Sequence, residues 1–236
     1  MDSRLQSNIR EKLVSIATDS VRLDGKLSIP ERVEGIVLFA PGNNSSRERC
    51  RNRFIAQVLR KARMATLLID LLTVEEEAIN LRTRGYFHFN VGLLAKRLVG
   101  VTDWLLHNPS TRNLNIGYLG TSTGSAAAFL AAANRSNVVG AIVSAGGRPD
   151  LPGSTLSRVH APTLLIVGED EVSMIGMNQE AMAHLQGEKQ LEIIPGTTHL
   201  FEEPGALEEV AWLASQWFNH HLKPVARQGS PLPSAN

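Results

Sequence analysis

A short apolar strand that runs through a Gly-x-Ser-x-Gly motif into an alanine-rich helix is the feature that most constrains this chain. Residues 116–128 read IGYLGTSTGSAAA, and Gly120 and Gly124 each lie two residues from Ser122. Only small neighbours tolerate the crowded turn in which a serine leaves a strand with strained backbone angles and enters a helix. The pattern therefore predicts a nucleophile elbow that raises the Ser122 hydroxyl above a sheet.

The rest of the chain alternates short apolar runs with longer helical segments. Two runs near the N-terminus, at residues 14–17 and 21–29, alternate with a period of two and predict an antiparallel hairpin. Later runs lack polar alternation, as strands buried on both faces do. They lie at residues 35–40, 65–70, 114–119, 138–143, 163–167 and 191–194, with helices expected at about residues 49–62, 91–107, 123–134, 174–185 and 206–221. This succession predicts an α/β fold with a mostly parallel sheet of about eight strands and helices on both faces.

The length of 236 residues fits one domain, which we expect to span residues 1–222. Residues 223–236 are rich in Pro, Ser and Gly without periodic apolar positions, and they predict a flexible C-terminal tail. Two stretches, residues 73–90 and 146–160, are expected to be extended loops above the sheet. Loops in that position commonly build substrate pockets.

Charge and cysteine content narrow the class of protein. The formal net charge of +1 gives no strong attraction to nucleic acid or to anionic membranes. Cys50 is the single cysteine, so no intrachain disulfide forms and a reducing compartment is expected. Residues 1–10 are polar and carry no apolar signal core, and no apolar run is long enough to cross a membrane. These features favour a cytoplasmic location and leave the oligomeric state open.

A serine nucleophile needs a base and an acid that orients the base, and after a nucleophile elbow they follow in the order acid, then histidine. His199 lies between the last predicted strand and the last predicted helix, and we expect it to be the base. Three carboxylates, Glu169, Asp170 and Glu171, follow the strand at residues 163–167. Asp170 is the first choice for the acid because aspartate is the commoner orienting residue, and Glu171 is the alternative.

Two backbone N–H groups are expected to stabilise the oxyanion that develops when a serine attacks a carbonyl group. One belongs to Thr123, directly after the nucleophile, and the other to the loop after the third strand, where Asn43 is the expected donor. We expect Asn44 in the same loop to contact the substrate, together with His88 and Arg148.

The chain resembles the α/β-hydrolase superfamily and, within it, the dienelactone-hydrolase-like proteins. The similarity spans residues 35–220 and is carried by FAPG at 39–42, LIDLLT at 68–73, GTSTG at 120–124, GGRPD at 146–150 and PGTTHLFEEPG at 195–205. The resemblance implies an α/β-hydrolase fold, and a gapless match to a close subgroup places the acid at Glu171 rather than Asp170. The chain itself shows no large inserted cap domain. Some members of a close subgroup are fused to a phosphoribosyltransferase domain, to which no segment of this chain corresponds.

Two departures from the family pattern affect the expected chemistry. Dienelactone hydrolases proper carry a cysteine nucleophile, whereas this chain has Ser122, which favours a serine esterase over an enzyme for dienelactone. Pro41 and Gly42 stand where the subgroup often has His-Gly, and Asn43 and Asn44 replace a glycine-rich turn. The loop that supplies the second oxyanion donor therefore differs from the family pattern.

The sequence lacks the motifs of common nucleotide-binding and metal-binding sites. A dinucleotide-binding Gly-x-Gly-x-x-Gly turn would need glycine where Ser122 and Ser125 stand. The sequence contains no phosphate-binding Gly-x-x-x-x-Gly-Lys-Ser/Thr loop, no His-Glu-x-x-His motif and no Cys-x-x-Cys pair, so neither metal nor cofactor is expected. The remaining alternative is a hydrolase-fold binding or receptor-like protein with little turnover, since a fold does not determine function.

The sequence thus predicts a serine hydrolase whose partner is a small-molecule ester or lactone. Ser122 would attack the carbonyl carbon, His199 would take the hydroxyl proton, and Asp170 or Glu171 would orient the imidazole. Water would then release the acyl group from an acyl-enzyme.

Overall fold

The computed structural model of the chain describes residues 9–18, 21–42, 45–83 and 85–223. Within these residues, eight strands are joined by six α-helices and one 3-10 helix. The strands are β1 Arg10–Thr18, β2 Val21–Ile29, β3 Gly35–Ala40, β4 Met64–Ile69, β5 Ile116–Ser122, β6 Val139–Gly147, β7 Thr163–Gly168 and β8 Lys189–Ile194. The helices are α1 Ser46–Lys61, α2 Val74–Arg82, α3 Val91–His107, α4 Thr123–Asn134, α5 Val172–His184 and α6 Ala206–His221, and the 3-10 helix spans Gly153–Arg158.

The strands form one sheet in the order β1-β2-β4-β3-β5-β6-β7-β8. β1 pairs antiparallel with β2, β2 pairs antiparallel with β4, and the five pairings from β4 to β8 are parallel. The predicted N-terminal hairpin and mostly parallel sheet are confirmed. The order reverses between β3 and β5, and such a switch point opens a crevice at the carboxyl ends of the strands. Ser122, the last residue of β5, lies at that edge.

Helices cover both faces of the sheet, and each face has its own apolar core. On one face, α1 and α6 bury residues such as Ile55, Leu59 and Phe218 against the strands. On the other face, α3, α4 and α5 pack through residues such as Leu98 and Phe129. Because both faces are covered, the central strands are continuously apolar; all six residues of β3 are buried. Among the described elements, none forms a cap domain above the strand ends.

The stretch 73–90, expected as an extended loop, contains a helix instead. α2 begins after Thr73, whose hydroxyl accepts from the backbone N–H of Glu76, while the Glu76 carboxylate accepts from the N–H of Thr73. This capping box is visible in the sequence as Thr-x-x-Glu. The helix lacks an apolar stripe, since Val74 and Leu81 are largely exposed. Its main anchor is a bidentate ion pair of Glu76 with the buried Arg97 of α3, with both N–O distances 2.6 Å.

The predicted C-terminal tail lies almost entirely outside the described residues. Within the tail expected at residues 223–236, only Lys223 belongs to the described part, and residues 224–236 lie outside it. None of the helices in the described ranges is long and apolar enough to span a membrane.

Replacement of Gly124 by alanine is expected to lower the free energy of unfolding by about 1–3 kcal/mol, as overpacking of a full site does. A Cβ at residue 124 would lie 2.0 Å from the carbonyl oxygen of Ala40, which belongs to the backbone and has little freedom to move. Urea denaturation of wild type and variant measures the difference.

Gly176→Ala is the matched control for this prediction. Gly176 lies in α5, and nothing is within 4 Å of the position its Cβ would take. Alanine there is expected to stabilise the chain by up to about 1 kcal/mol, through helix propensity. Equal effects of the two substitutions would contradict the close approach of α4 to β3.

Candidate active site

Ser122 ends β5 and precedes the first residue of α4 in a strained backbone conformation. Its φ is 50° and its ψ is −128°, a region that residues other than glycine rarely adopt. The turn is crowded on both sides. A Cβ on Gly120 would lie 2.5 Å from the Cα of Ser125, and one on Gly42 would lie 2.6 Å from the Cβ of Ser122. The structure therefore has the geometry expected of a nucleophile elbow, and it sets the loop after β3 directly beside the serine.

The loop after β3 is tied to the elbow through Thr123. The Thr123 hydroxyl donates to the carbonyl oxygen of Gly42 at 3.0 Å. The backbone N–H of Thr123 is the first of α4, and the first N–H groups of a helix have no partner within that helix. Of the two expected oxyanion donors, this one is described. Asn43, the other, and Asn44, the expected substrate contact, lie outside the described residues.

The buried carboxylate of Glu48 also links the loop after β3 to the elbow at the end of β5. Glu48 is 3% exposed, and its Oε1 accepts from the backbone N–H of Gly42 at 2.9 Å and also from the hydroxyl of Thr121. A guanidinium nitrogen of Arg51 lies 4.0 Å away. The carboxylate thus holds the loop residue beside the serine and the residue that precedes the serine.

Sequence reasoning missed Glu48, although the chain carries a signal for it. Ser45 and Glu48 have the Ser-x-x-Glu spacing of a capping box, and the Ser45 side chain accepts from the N–H of Glu48 at 3.2 Å. A capping carboxylate usually returns to its own helix start. Here it bonds to Gly42 and Thr121, which the spacing alone does not show.

His199 lies in the loop between β8 and α6, next to the end of β6. A Cβ on Gly146 would lie 2.4 Å from the carbonyl oxygen of His199, and the register pairs the neighbouring Gly147 with Ser122. The structure therefore places the histidine loop over the strand adjacent to the elbow. His199 Nδ1 lies 2.7 Å from Glu171 Oε1, a charge-assisted hydrogen bond that holds the pKa of the Glu171 carboxyl below its ordinary value.

The three carboxylates after β7 have different surroundings. Glu169 accepts from the backbone N–H of Gly196 at 2.9 Å. Asp170 is exposed, and within the described ranges its carboxylate has no hydrogen-bond partner. Glu171 is the one that the structure brings to His199. Of the two alternatives for the orienting acid, the geometry therefore favours Glu171.

Arg148 and His88, both expected to contact substrate, each have a carboxylate partner. Arg148 forms a bidentate pair with Asp150 at 2.7 and 2.8 Å, which raises the pKa of the guanidinium and lowers that of the carboxyl. The backbone N–H of Arg148 also donates to the carbonyl oxygen of Ser122 at 3.0 Å. His88 Nε2 lies 3.0 Å from Glu77 Oε2. Arg148 therefore supports the elbow through its backbone, and His88 lies in a second histidine–carboxylate pair.

A cleft of about 1100 Å³ lies next to this site, and Ser122, Glu171 and His199 are not among its lining residues. It lies between the start of α1, the loop after α2 and the segment after His199, where Leu200 and Phe201 form part of its wall. His88 and Glu77 line it from the opposite side. Among the described residues, no group of three or more His, Cys, Asp or Glu side chains is placed to hold a metal ion.

Comparisons with known proteins agree with this arrangement. The model of the dienelactone hydrolase family matches residues 74–222. The crystal structure of dienelactone hydrolase from Anabaena variabilis is 57% identical, covers 91% of this chain and 99% of that chain, and superposes with a TM-score of 0.88. Est1E from Butyrivibrio proteoclasticus shares the fold, with a TM-score of 0.70 at 15% identity over 88% of this chain and 98% of its own.

Two curated relatives from Mycobacterium tuberculosis, each named "Putative phosphoribosyl transferase", are 49% identical over 222 residues. The match covers 94% of this chain and 49% of theirs, so the chain spans about half the length of the curated relatives it matches. The family model covers more than half of the chain, and the Anabaena structure matches nearly all of it. The chain belongs to the dienelactone hydrolase family.

Proposed function

We propose that this chain is a serine hydrolase that cleaves a carboxylic ester or lactone. The observation that carries the proposal is the strained Ser122 at the switch point of the sheet, with the His199–Glu171 pair on the neighbouring loop. Strain of this kind costs of order 1–3 kcal/mol and persists where the surrounding structure enforces it, often at functional sites. Membership of a hydrolase family supports the same reaction class.

The proposed reaction begins when Ser122 Oγ attacks the carbonyl carbon of the substrate and His199 Nε2 takes the hydroxyl proton. The hydrogen bond from Nδ1 to Glu171 fixes the imidazole tautomer that leaves Nε2 free to accept, and the carboxylate stabilises the imidazolium that forms. The N–H of Thr123 and one from the loop at Asn43 stabilise the tetrahedral oxyanion. The alcohol leaves with the proton from His199. Water then attacks the acyl-enzyme while His199 takes its proton, and the carboxylic acid is released as Ser122 Oγ regains that proton.

The alternative of a binding protein with little turnover has less support. The strained backbone of Ser122, together with the His199–Glu171 pair on a nearby loop, fits a nucleophile and its base, whereas a site that only binds needs no strained serine. The phosphoribosyl transferase name belongs to proteins twice as long as the matched segment, so it supports no proposal of that activity for this chain.

Ser122→Ala and His199→Ala should each lower the turnover of p-nitrophenyl butyrate by about three orders of magnitude or more, because the groups act as a unit. His160→Ala, which alters an exposed loop histidine, is the control and should keep wild-type turnover. A fluorophosphonate should label the wild type and leave Ser122→Ala unlabelled. Wild-type turnover in Ser122→Ala would overturn the mechanism.

Glu171→Gln should lower kcat by roughly 10²–10⁴, since an amide in place of the acid favours the wrong imidazole tautomer. Asp170→Asn removes the same charge one residue earlier, from a side chain exposed to solvent, and should leave kcat within about twofold. Steady-state kinetics on p-nitrophenyl butyrate compare the two variants. The reverse order of effects would assign the orienting role to Asp170.

Glu48→Ala should lower kcat about tenfold, equal to about 1.4 kcal/mol of barrier, with little change in KM. Loss of the carboxylate leaves the N–H of Gly42 without its acceptor and loosens the loop beside the nucleophile. Thr121→Val removes one of the bonds to the same oxygen, and the two substitutions should be non-additive because they remove one interaction. Loss of stability without loss of kcat, judged from thermal unfolding beside the kinetics, would show that Glu48 acts on the fold alone.

A further inference from the structure

The hydrogen-bonded pair of Glu77 and His88 lies in the wall of the cleft and has no role in the proposed reaction. Their side chains are 21% and 16% exposed, and the Nε2–Oε2 distance is 3.0 Å. The loop that carries His88 is fixed by Asn80, which is 4% exposed. The Asn80 side-chain oxygen accepts from the N–H groups of Phe87 at 3.0 Å and His88 at 3.4 Å. A buried amide thus sets the position of the histidine.

The pair also lies beside the elbow. Glu77 and His88 line the large cleft, and both line a narrow crevice whose opposite wall includes Pro41 and Gly42. Gly42 is the residue whose Cβ would contact the Cβ of Ser122 at 2.6 Å. Gly42 therefore connects the two features, since it lines the crevice with Glu77 and His88 and packs on Ser122, although Ser122 itself lines neither cavity.

The hydrogen-bonding capacity of the pair is defined by its chemistry. A carboxylate only accepts hydrogen bonds, so the Nε2 that faces Glu77 carries the proton and the Nδ1 of a neutral imidazole is an acceptor. Among the described residues, neither His88 Nδ1 nor Glu77 Oε1 has a hydrogen-bond partner. With His88 neutral, the pair therefore has two acceptors without a partner, on residues that line the cleft.

The charges around the cleft favour a neutral substrate over an anionic one. Five glutamates line it against two arginines, Arg47 and Arg51. Arg47 faces Glu202 at 3.7 Å, and Arg51 donates to the carbonyl oxygen of Leu200 and lies near Glu48. Excess carboxylate disfavours an anionic substrate, because like charges in a partly enclosed site repel.

We propose that Glu77 and His88 form a specificity subsite that binds a hydroxyl group of the substrate, so that the preferred substrates are neutral esters of hydroxylated alcohols. This inference rests on the proposed esterase function. The substrate hydroxyl donates to His88 Nδ1 or to the free oxygen of Glu77, while the ester carbonyl lies at Ser122. The subsite determines which ester is bound, and it exchanges no proton in the reaction.

The test compares 1-monobutyrin with propyl butyrate, which has the same acyl group and carbon chain but lacks the two hydroxyls. Butyrate release followed by pH-stat gives kcat/KM for each ester. We expect the wild type to favour 1-monobutyrin by about tenfold, a difference of about 1.4 kcal/mol, typical of a hydrogen bond from substrate to a charge-supported acceptor. The anionic ester 3-(butyryloxy)propanoate should be the poorest of the three substrates.

His88→Phe, which keeps a ring but removes the acceptor, and Glu77→Gln should bring the ratio of the two neutral esters close to one. Glu75→Gln is the matched control, since it removes the same charge from an exposed site on the same helix and should leave the ratio unchanged. A wild-type ratio near one, an unchanged ratio in His88→Phe, or a preference for the anionic ester would overturn the subsite.

Failure of the esterase proposal is separable from failure of the subsite. If the wild type hydrolyses neither these esters nor p-nitrophenyl butyrate and is not labelled by the fluorophosphonate, the esterase proposal fails, and the subsite is then tested by binding to Ser122→Ala. Saturation-transfer NMR should show that 1-monobutyrin binds more tightly than propyl butyrate, and that His88→Phe in the same background removes the difference. Equal binding of the two esters would overturn the subsite independently of turnover.

Discussion

The close approach of α4 to the end of β3 is the constraint on which the rest of this molecule depends. The position of a Cβ on Gly124 falls 2.0 Å from the Ala40 carbonyl oxygen, so the helix start lies directly on the strand end, with no side chain between them. This contact brings the loop after β3 to Ser122, where Gly42 also has no room for a side chain. The two segments that would bind an oxyanion are thereby placed by direct packing of backbone on backbone.

Glutamates secure the loops around this contact, and each acts near the start of a helix. Glu48 in the first turn of α1 bonds inward to the β3 loop and to β5. Glu76 in the first turn of α2 pairs with Arg97, while its neighbour Glu77 points to the cleft and His88. Glu171 immediately precedes α5 and meets His199. Helix starts favour carboxylates through the helix dipole, and these residues are therefore stable in positions where they also fix a loop.

Much of this arrangement could be predicted from the sequence, because the decisive signals are local. The apolar runs indicate buried strands, and Gly-x-Ser-x-Gly between a strand and a helix fixes the elbow at Ser122. The position of His199 in a loop after the last strand was predictable too, while its role as the base stays a prediction. What the sequence left open depends on side-chain direction: Asp170 and Glu171 are adjacent, and the backbone at the start of α5 turns one to solvent and the other to His199.

The helix α2 and the role of Glu48 were missed for related reasons. α2 buries little apolar surface, so a search for apolar periodicity passes over it, although Thr73 and Glu76 mark its start. Glu48 has the spacing of an ordinary helix cap, and only the folded chain shows that it bonds to Gly42 in the β3 loop and to Thr121, 73 residues further along the chain. In both cases the polar pattern carried information that the apolar pattern did not.

The nucleophile elbow leaves α4 without a side-chain cap at its N-terminus. α1, α2 and α3 each begin with a side chain that accepts a backbone N–H, whereas α4, α5 and α6 do not. Of these three uncapped helices, only α4 begins at a residue, Ser122, whose side chain is of the type that usually forms the bond. A serine in the usual N-cap conformation would bond to its own helix and gain about 1 kcal/mol of stability. The backbone angles of Ser122 forgo that bond, which leaves both the hydroxyl and the first N–H groups of the helix available to a ligand. The residue best suited by type to cap this helix is thus held out of the capping position, and the strain and the missing cap together argue for a nucleophile over a structural turn.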